Sequence, residues 1–114
     1  MNTVTLYRPV NQHELYLIEV ADWRSFPPRL PEQPIFYPVL DVDYAIQITR
    51  EWNVPAFGEG HVVRFEIDKS YFETFEVQTV GLDHFQEIWV PSEDLGIFNN
   101  HLVGPITLIH SFKN

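Results

Sequence analysis

Between Phe26 and Pro38 the chain reads FPPRLPEQPIFYP, and its five prolines decide much of what the rest of the sequence can do. Proline has no backbone N–H and a fixed φ, so this stretch can neither continue a helix nor lie inside a strand ladder. It must cross the surface as an extended loop, with Ile35–Leu40 able to pair briefly near its end. Regular structure is confined to the segments before and after it.

Before the loop, Thr3–Arg8 reads as a short strand stopped by Pro9. Asn11, with Glu14 three residues on, forms a capping-box-like start for a helix over Gln12–Val20, whose apolar face is Leu15, Ile18, Ala21 and Trp23. After the loop, Asp41 or Asp43 can cap a second helix over Tyr44–Trp52, with Ala45, Ile48 and Trp52 on one side. Asn53–Gly60 reads as a turn region.

The clearest strand is His61–Asp68, where Val63, Phe65 and Ile67 alternate with Arg64 and Glu66. A helical turn around Ser70–Phe75 leads to strands at Glu76–Val80 and Gln86–Val90, joined through Gly81–Phe85. Ser92 caps a short helix over Glu93–Asn100, and Ile106–Phe112 closes the chain as a strand. This order predicts an α+β domain, a small bent mixed β-sheet carrying two to three short helices, with Val63, Phe65, Ile67, Trp89, Ile106 and Leu108 buried. The three tryptophans read as core or half-core aromatics rather than ligand platforms.

A chain of 114 residues is too short for two independent cores, so residues 1–114 are expected to form one domain. Seven Lys and Arg against sixteen Asp and Glu leave a net charge of −9, which repels a phosphate backbone and argues against bulk nucleic acid. A local basic pocket for a single nucleotide is compatible with that surface. With no Cys there is no disulfide, thiolate nucleophile or Cys-ligated zinc. No secretory pattern and no apolar run near the roughly 20 residues that span a bilayer occur, so the cytoplasm is the expected compartment and no membrane the expected partner.

The five His stand singly and predict no metal site. None of Ser25, Ser70, Ser92 and Ser111 sits in a Gly-x-Ser-x-Gly elbow, and no glycine loop cradles phosphate. Polar residues set against their local pattern remain: Arg8 in LYRP, Tyr37 in IFYP and Glu87 in EIWVP. Each has a plain structural reading as a paired Arg, a satisfied core Tyr or a solvent-facing strand Glu. Arg24 and Arg29 flank or enter the proline loop, where they could bind phosphate or offset local acids. Asn99, Asn100 and His101 read as helix-stop chemistry.

Taken together, LYRPVNQHELYLI, FPPRLPEQPIFYPVLDVDYAIQITREWN, HVVRFEID and EIWVPSEDLGIFNNHLVGPI resemble a family of small bacterial proteins labelled "ADP-ribosylation/crystallin". The resemblance runs from Leu6 to Phe112. ADP-ribosylglycohydrolases, to which crystallins of that name belong, are much longer, helical and metal-dependent, so the chain is not of that fold. The order of motifs is instead similar to the ADP-ribosyltransferase fold, whose first strand carries a basic residue after an aromatic.

That resemblance implies NAD as substrate, with Arg8 on its phosphate or nicotinamide ribose, Tyr37 stacked on the nicotinamide and Glu87 on a ribose hydroxyl as the catalytic carboxylate. Tyr44, one element further on, is the alternative stacking residue. A carboxylate there stabilises the oxocarbenium-like charge that develops as the glycosidic bond breaks, and a guanidinium fork suits phosphate. Phe85 stands two residues before Glu87, where many transferases that modify side chains carry Gln or Glu. The competing expectation is a catalytically silent binding or regulatory module of antitoxin or immunity type on the same fold, meeting a protein partner through the proline-rich loop.

Overall fold

Strand alternation and proline placement together explain the architecture of the computed structural model, which describes residues 2–81 and 83–114. Strands β1 (Thr3–Val10), β3 (Glu59–Asp68) and β7 (Thr107–Lys113) form an antiparallel sheet in the order β1-β3-β7. Its register sets Leu6 opposite Phe65 and Arg8 opposite Val63. Between β3 and β7 the register shifts at Val62/Val63, so that Ile109 is an extra residue in β7.

The proline loop supplies the link to the remaining strands. β2 (Ile35–Phe36) pairs with β6 (Val90–Pro91), and β4 (Val77–Val80) pairs with β5 (Phe85–Ile88). Val39 exchanges both backbone hydrogen bonds with Tyr7, at 2.9 and 2.8 Å, and on its other side faces Glu87. Around that contact the Ser92, Ile88 and Leu40 N–H groups donate to Pro34, Pro38 and Gln86 carbonyls, so residues 34–40 run along 86–92 in one register broken at the prolines. Pro34 and Pro38 accept a bond without being able to return one. The expected mixed sheet is corrected here: every pairing among the described residues is antiparallel.

The two faces carry different cores. Helices α1 (Gln12–Val20) and α5 (Leu95–Asn100), the latter after the short α4 (Lys69–Phe72), cover one face, where Leu6, Ile18, Phe36, Phe65, Phe98 and Ile106 are buried. Phe26 and Phe36, at the two ends of the proline loop, lie 5.0 Å apart by ring centroid and pack on Phe65 and Phe98. They pin the loop from its two ends, Phe36 with the help of the short β2–β6 ladder. Asn99 adds a clamp on Phe26, accepting its N–H at 2.9 Å and donating to its carbonyl at 3.1 Å. On the other face α2 (Val42–Ile48), capped by Asp41, buries Ala45 against Val39 and Val62.

The helix expected to end at Trp52 runs further. After α2 comes a π-helical turn, Thr49–Asn53, and then α3 (Val54–Phe57), ended by Gly58 at φ 83°. Pro55 lacks an N–H and crowds the carbonyl four residues back, and a widened turn is how a helix absorbs it. The turn rests on β3 at Gly60, where an added Cβ would lie 2.7 Å from Thr49 Cγ2 and 2.9 Å from Asn53 Cβ.

Val63, Phe65, Ile67 and Ile106 are buried as expected, but Trp89 is 48% and Leu108 40% exposed. Trp89 turns outward beside Glu87, and Leu108 adjoins the bulge on the outer strand. Trp52 is 70% exposed, so it is not a core aromatic either.

Gly60→Ala should lower stability by about 1–3 kcal/mol, because backbone-rooted atoms block the new methyl. Gly96→Ala, in α5 with open space around its Cβ, should raise it by about 0.5–1 kcal/mol through helix propensity. Urea unfolding of both variants checks the pair, and a neutral Gly60→Ala would contradict the close helix–strand contact.

Candidate functional site

Among the described residues the backbone of β1 pairs with the segment that ends the proline loop through one bridge, Tyr7 to Val39, and Arg8 follows directly after it. Strand alternation places Arg8 on the same face as Leu6, within the larger core. The residue is 5% exposed, and its Nε and Nη2 donate to the two oxygens of Glu14 at 2.6 and 3.0 Å. Its guanidinium also stacks over Phe36, 4.5 Å from the ring centroid. The capping-box expectation is met only in part. Asn11 accepts the Glu14 N–H at 2.8 Å, but the Glu14 carboxylate turns to Arg8.

Arg29 enters the same place from the proline loop. Its Nη1 lies 3.9 Å from Glu14, its Nη2 donates to the Ile35 carbonyl at 3.4 Å, and its Nε is buried without a partner among the described residues. Burial and then the charge of Arg8 push the Arg29 guanidinium below its usual pKa. Two cations thus share one carboxylate. They wall a polar cavity of about 190 Å3 together with Asn11, Gln33, Tyr37 and Phe57.

A second cluster lies on the opposite face of the sheet. Tyr7, Val39 and Glu87 are directly paired across three strands and so share a face, the one that α2 covers. Glu87, 7% exposed, accepts from the Tyr44 hydroxyl at 2.9 Å and from Trp89 Nε1 at 2.6 Å. Phe85 stacks on Tyr44 at 4.7 Å with the rings 7° apart. Burial first, then the hydrogen bond to Glu87, pushes the Tyr44 hydroxyl up to about 12.

The sequence-derived residues are therefore divided. Arg8 and Tyr37 line one cavity, Tyr44 and Glu87 bond to each other, and Glu87 is not part of the arginine cavity's wall. Tyr37, 41% exposed, is near enough to Arg29 and Tyr44 to bear on the ionisation of both. With one face of Tyr44 on Phe85 and its hydroxyl on Glu87, Tyr37 is the tyrosine open to a ligand at the arginines.

Sequence reasoning left Glu14 as a cap, Trp89 as core and Arg29 undecided. The signal for Arg29 was its position between prolines, where a long side chain leaves a rigid loop. Elsewhere, buried His61 bonds Ser111 at 2.8 Å and Gln12 at 2.9 Å, and His101 bonds Asp68 at 2.6 Å. Among the described residues no group of three or more His, Asp or Glu is placed to hold a metal ion, and no helix is long and apolar enough to cross a membrane. Comparison with family models, curated proteins and solved structures finds no match to this chain.

Because folding raises Tyr44 above its ordinary value of 10.0, its neutral phenol stabilises the fold below that pH. The contribution is lost as pH climbs toward about 12. Tyr44→Phe should cost about 1.5–3 kcal/mol at neutral pH, the range for a hydrogen bond to a charged group. It should also flatten the alkaline fall in stability between about pH 10 and 12. Urea denaturation across that range reads both effects; parallel wild-type and variant curves would contradict the assignment.

Proposed function

We propose that this protein handles an ADP-ribose-bearing nucleotide, NAD in the first instance, as a domain of the ADP-ribosyltransferase kind. The observation that carries the reading is the Arg8–Glu14–Arg29 cluster beside Tyr37: a cavity with one more cation than anion in a chain of net charge −9. Such a pocket selects an anionic group locally while the acidic surface repels polyanions. A tyrosine ring at its mouth offers a face to a planar base.

In a transfer reaction the bond between C1 of the ribose and the nicotinamide nitrogen breaks, nicotinamide leaves with the electron pair, and positive charge develops on the ribose. The residue for that charge is Glu87, whose oxygens are already oriented by Tyr44 and Trp89. A pre-oriented carboxylate needs little reorganisation as charge appears.

The same geometry favours a second reading, a nucleotide-binding or regulatory module without transfer. Glu87 has both oxygens engaged and lies on the face opposite Arg8, so a ligand held at the arginines meets Tyr37 before it meets a free carboxylate. In that reading the proline loop, with Leu30 56% exposed, is the contact for a protein partner.

NAD or ADP-ribose at a hundred times its Kd should stabilise the fold by about 2.7 kcal/mol, read as a rise in Tm of several degrees. Release of nicotinamide by wild type, abolished in Glu87→Gln with Tm unchanged, is the expected signature of transfer. A rise in Tm without release of nicotinamide selects the binding module. The absence of any rise with millimolar NAD and ADP-ribose would overturn the nucleotide reading.

A further inference from the structure

A guanidinium carries five N–H donors, and the two arginines of the cavity use them differently. Arg8 closes its forked edge on both oxygens of Glu14. Arg29 has no such partner. Its side chain is 12% exposed, its Nε meets no acceptor among the described residues, and its contacts to Ile35 and Glu14 are long at 3.4 and 3.9 Å. A buried donor without an acceptor is a standing desolvation penalty, and in a residue that borders three cavities a small turn of the guanidinium would bring it to an incoming acceptor.

The neighbouring amides point the same way. Asn11 uses its Oδ1 to accept the Glu14 N–H, and Gln33 uses its Oε1 to accept the Leu30 N–H at 3.2 Å. With both oxygens spent, each amide has its N–H groups left to donate. Asn11, Gln33 and Arg29 all line the arginine cavity, which makes its wall rich in donors. Arg29 further borders a cavity of about 340 Å3 against Phe26, Ser92 and Asn99, and one of about 150 Å3 against His13 and Leu17.

We propose that Arg29, rather than Arg8, is the anion-binding residue of this protein, and that its guanidinium turns its Nε edge to one phosphate group in the cavities it borders. The inference rests on the nucleotide reading and assigns the ligand's phosphate to a residue outside the strand. Arg8 is then a positioning residue: it holds Glu14 to one side, and Glu14 keeps Arg29 in place without closing its fork. A phosphate brings the missing negative charge together with several acceptor oxygens, enough for Nε and for the Asn11 and Gln33 amides at once.

The test is isothermal titration of ribose 5-phosphate and NAD into wild type, Arg29→Gln, Arg29→Lys and Glu14→Gln, with Tm measured for each. Arg29→Gln should weaken ribose 5-phosphate by about tenfold to a hundredfold, the range for a hydrogen bond to a charged group. Its Tm should be unchanged or raised, since it removes an unsatisfied donor. Arg29→Lys keeps the charge but loses the Nε–H and should restore only part of the affinity. Glu14→Gln, if it folds, should bind ribose 5-phosphate more tightly than wild type because a competing carboxylate is gone. Should it unfold, the two Arg29 variants decide.

Wild-type affinity in Arg29→Gln overturns the inference and leaves the nucleotide reading standing if NAD still binds. Binding of ribose 5-phosphate but not NAD, lost in Arg29→Gln, supports the inference and rejects NAD as the ligand. Binding of neither compound by wild type overturns both.

Discussion

Among the described residues, the β1-β3-β7 sheet and the β4–β5 hairpin are joined through Val39. Two hydrogen bonds to Tyr7 and the contact with Glu87 make the join. Pro38, directly before Val39, cannot return the bond it accepts from Ile88, and Pro9, two residues after Tyr7, lacks an N–H where the ladder with β1 would continue, so β1 and this segment part soon after they meet. Everything of chemical interest follows from that short seam. The opening beyond it admits Arg8 and Arg29 from one side, and the pairing itself sets Glu87 on the other face.

Electrostatics then shapes the opening. A buried ion pair gains little over apolar packing, because desolvation offsets most of the Coulomb attraction. Arg8 and Glu14 are therefore a poor device for stability alone, and the second guanidinium beside them makes the arrangement worse in the absence of a ligand. The Phe36 ring beneath Arg8 recovers part of the penalty. On the proposed reading the cluster receives a ligand's charge, and the cost of burying it serves binding rather than stability. On the opposite face the reverse holds: Glu87 has two good donors, and the Tyr44–Phe85 stack fixes one of them.

How much of this could be read from the chain depended on the range of the interaction. Local rules located α1, β3 and the helix after Asp41, because capping and alternation act over a few residues. The pairing segment at Ile35–Leu40 was legible because prolines exclude the alternatives. The helix continuation to Phe57 was not, since Pro55 reads as a stop unless a π turn makes room for it. Trp89 and Leu108 were misjudged as core because hydrophobicity does not reveal which face of an edge element looks outward. Arg8, Tyr37 and Glu87 were identifiable as polar residues out of keeping with their local pattern, and Tyr44 only as the stacking alternative of the resemblance, whereas their division between two faces is a matter of register across the proline loop. Glu14 was hidden by its own plausibility as a cap.

The extra residue at Ile109 reaches beyond the sheet that contains it. A straight seven-residue edge such as β7 offers its outer N–H and C=O groups at regular spacing to any extended chain that drifts past. The bulge breaks that spacing near the middle of the strand, so a passing strand in register with Leu108 is out of register with His110. The irregularity disfavours edge-to-edge pairing with an extended chain, and it is set by the length of a single residue.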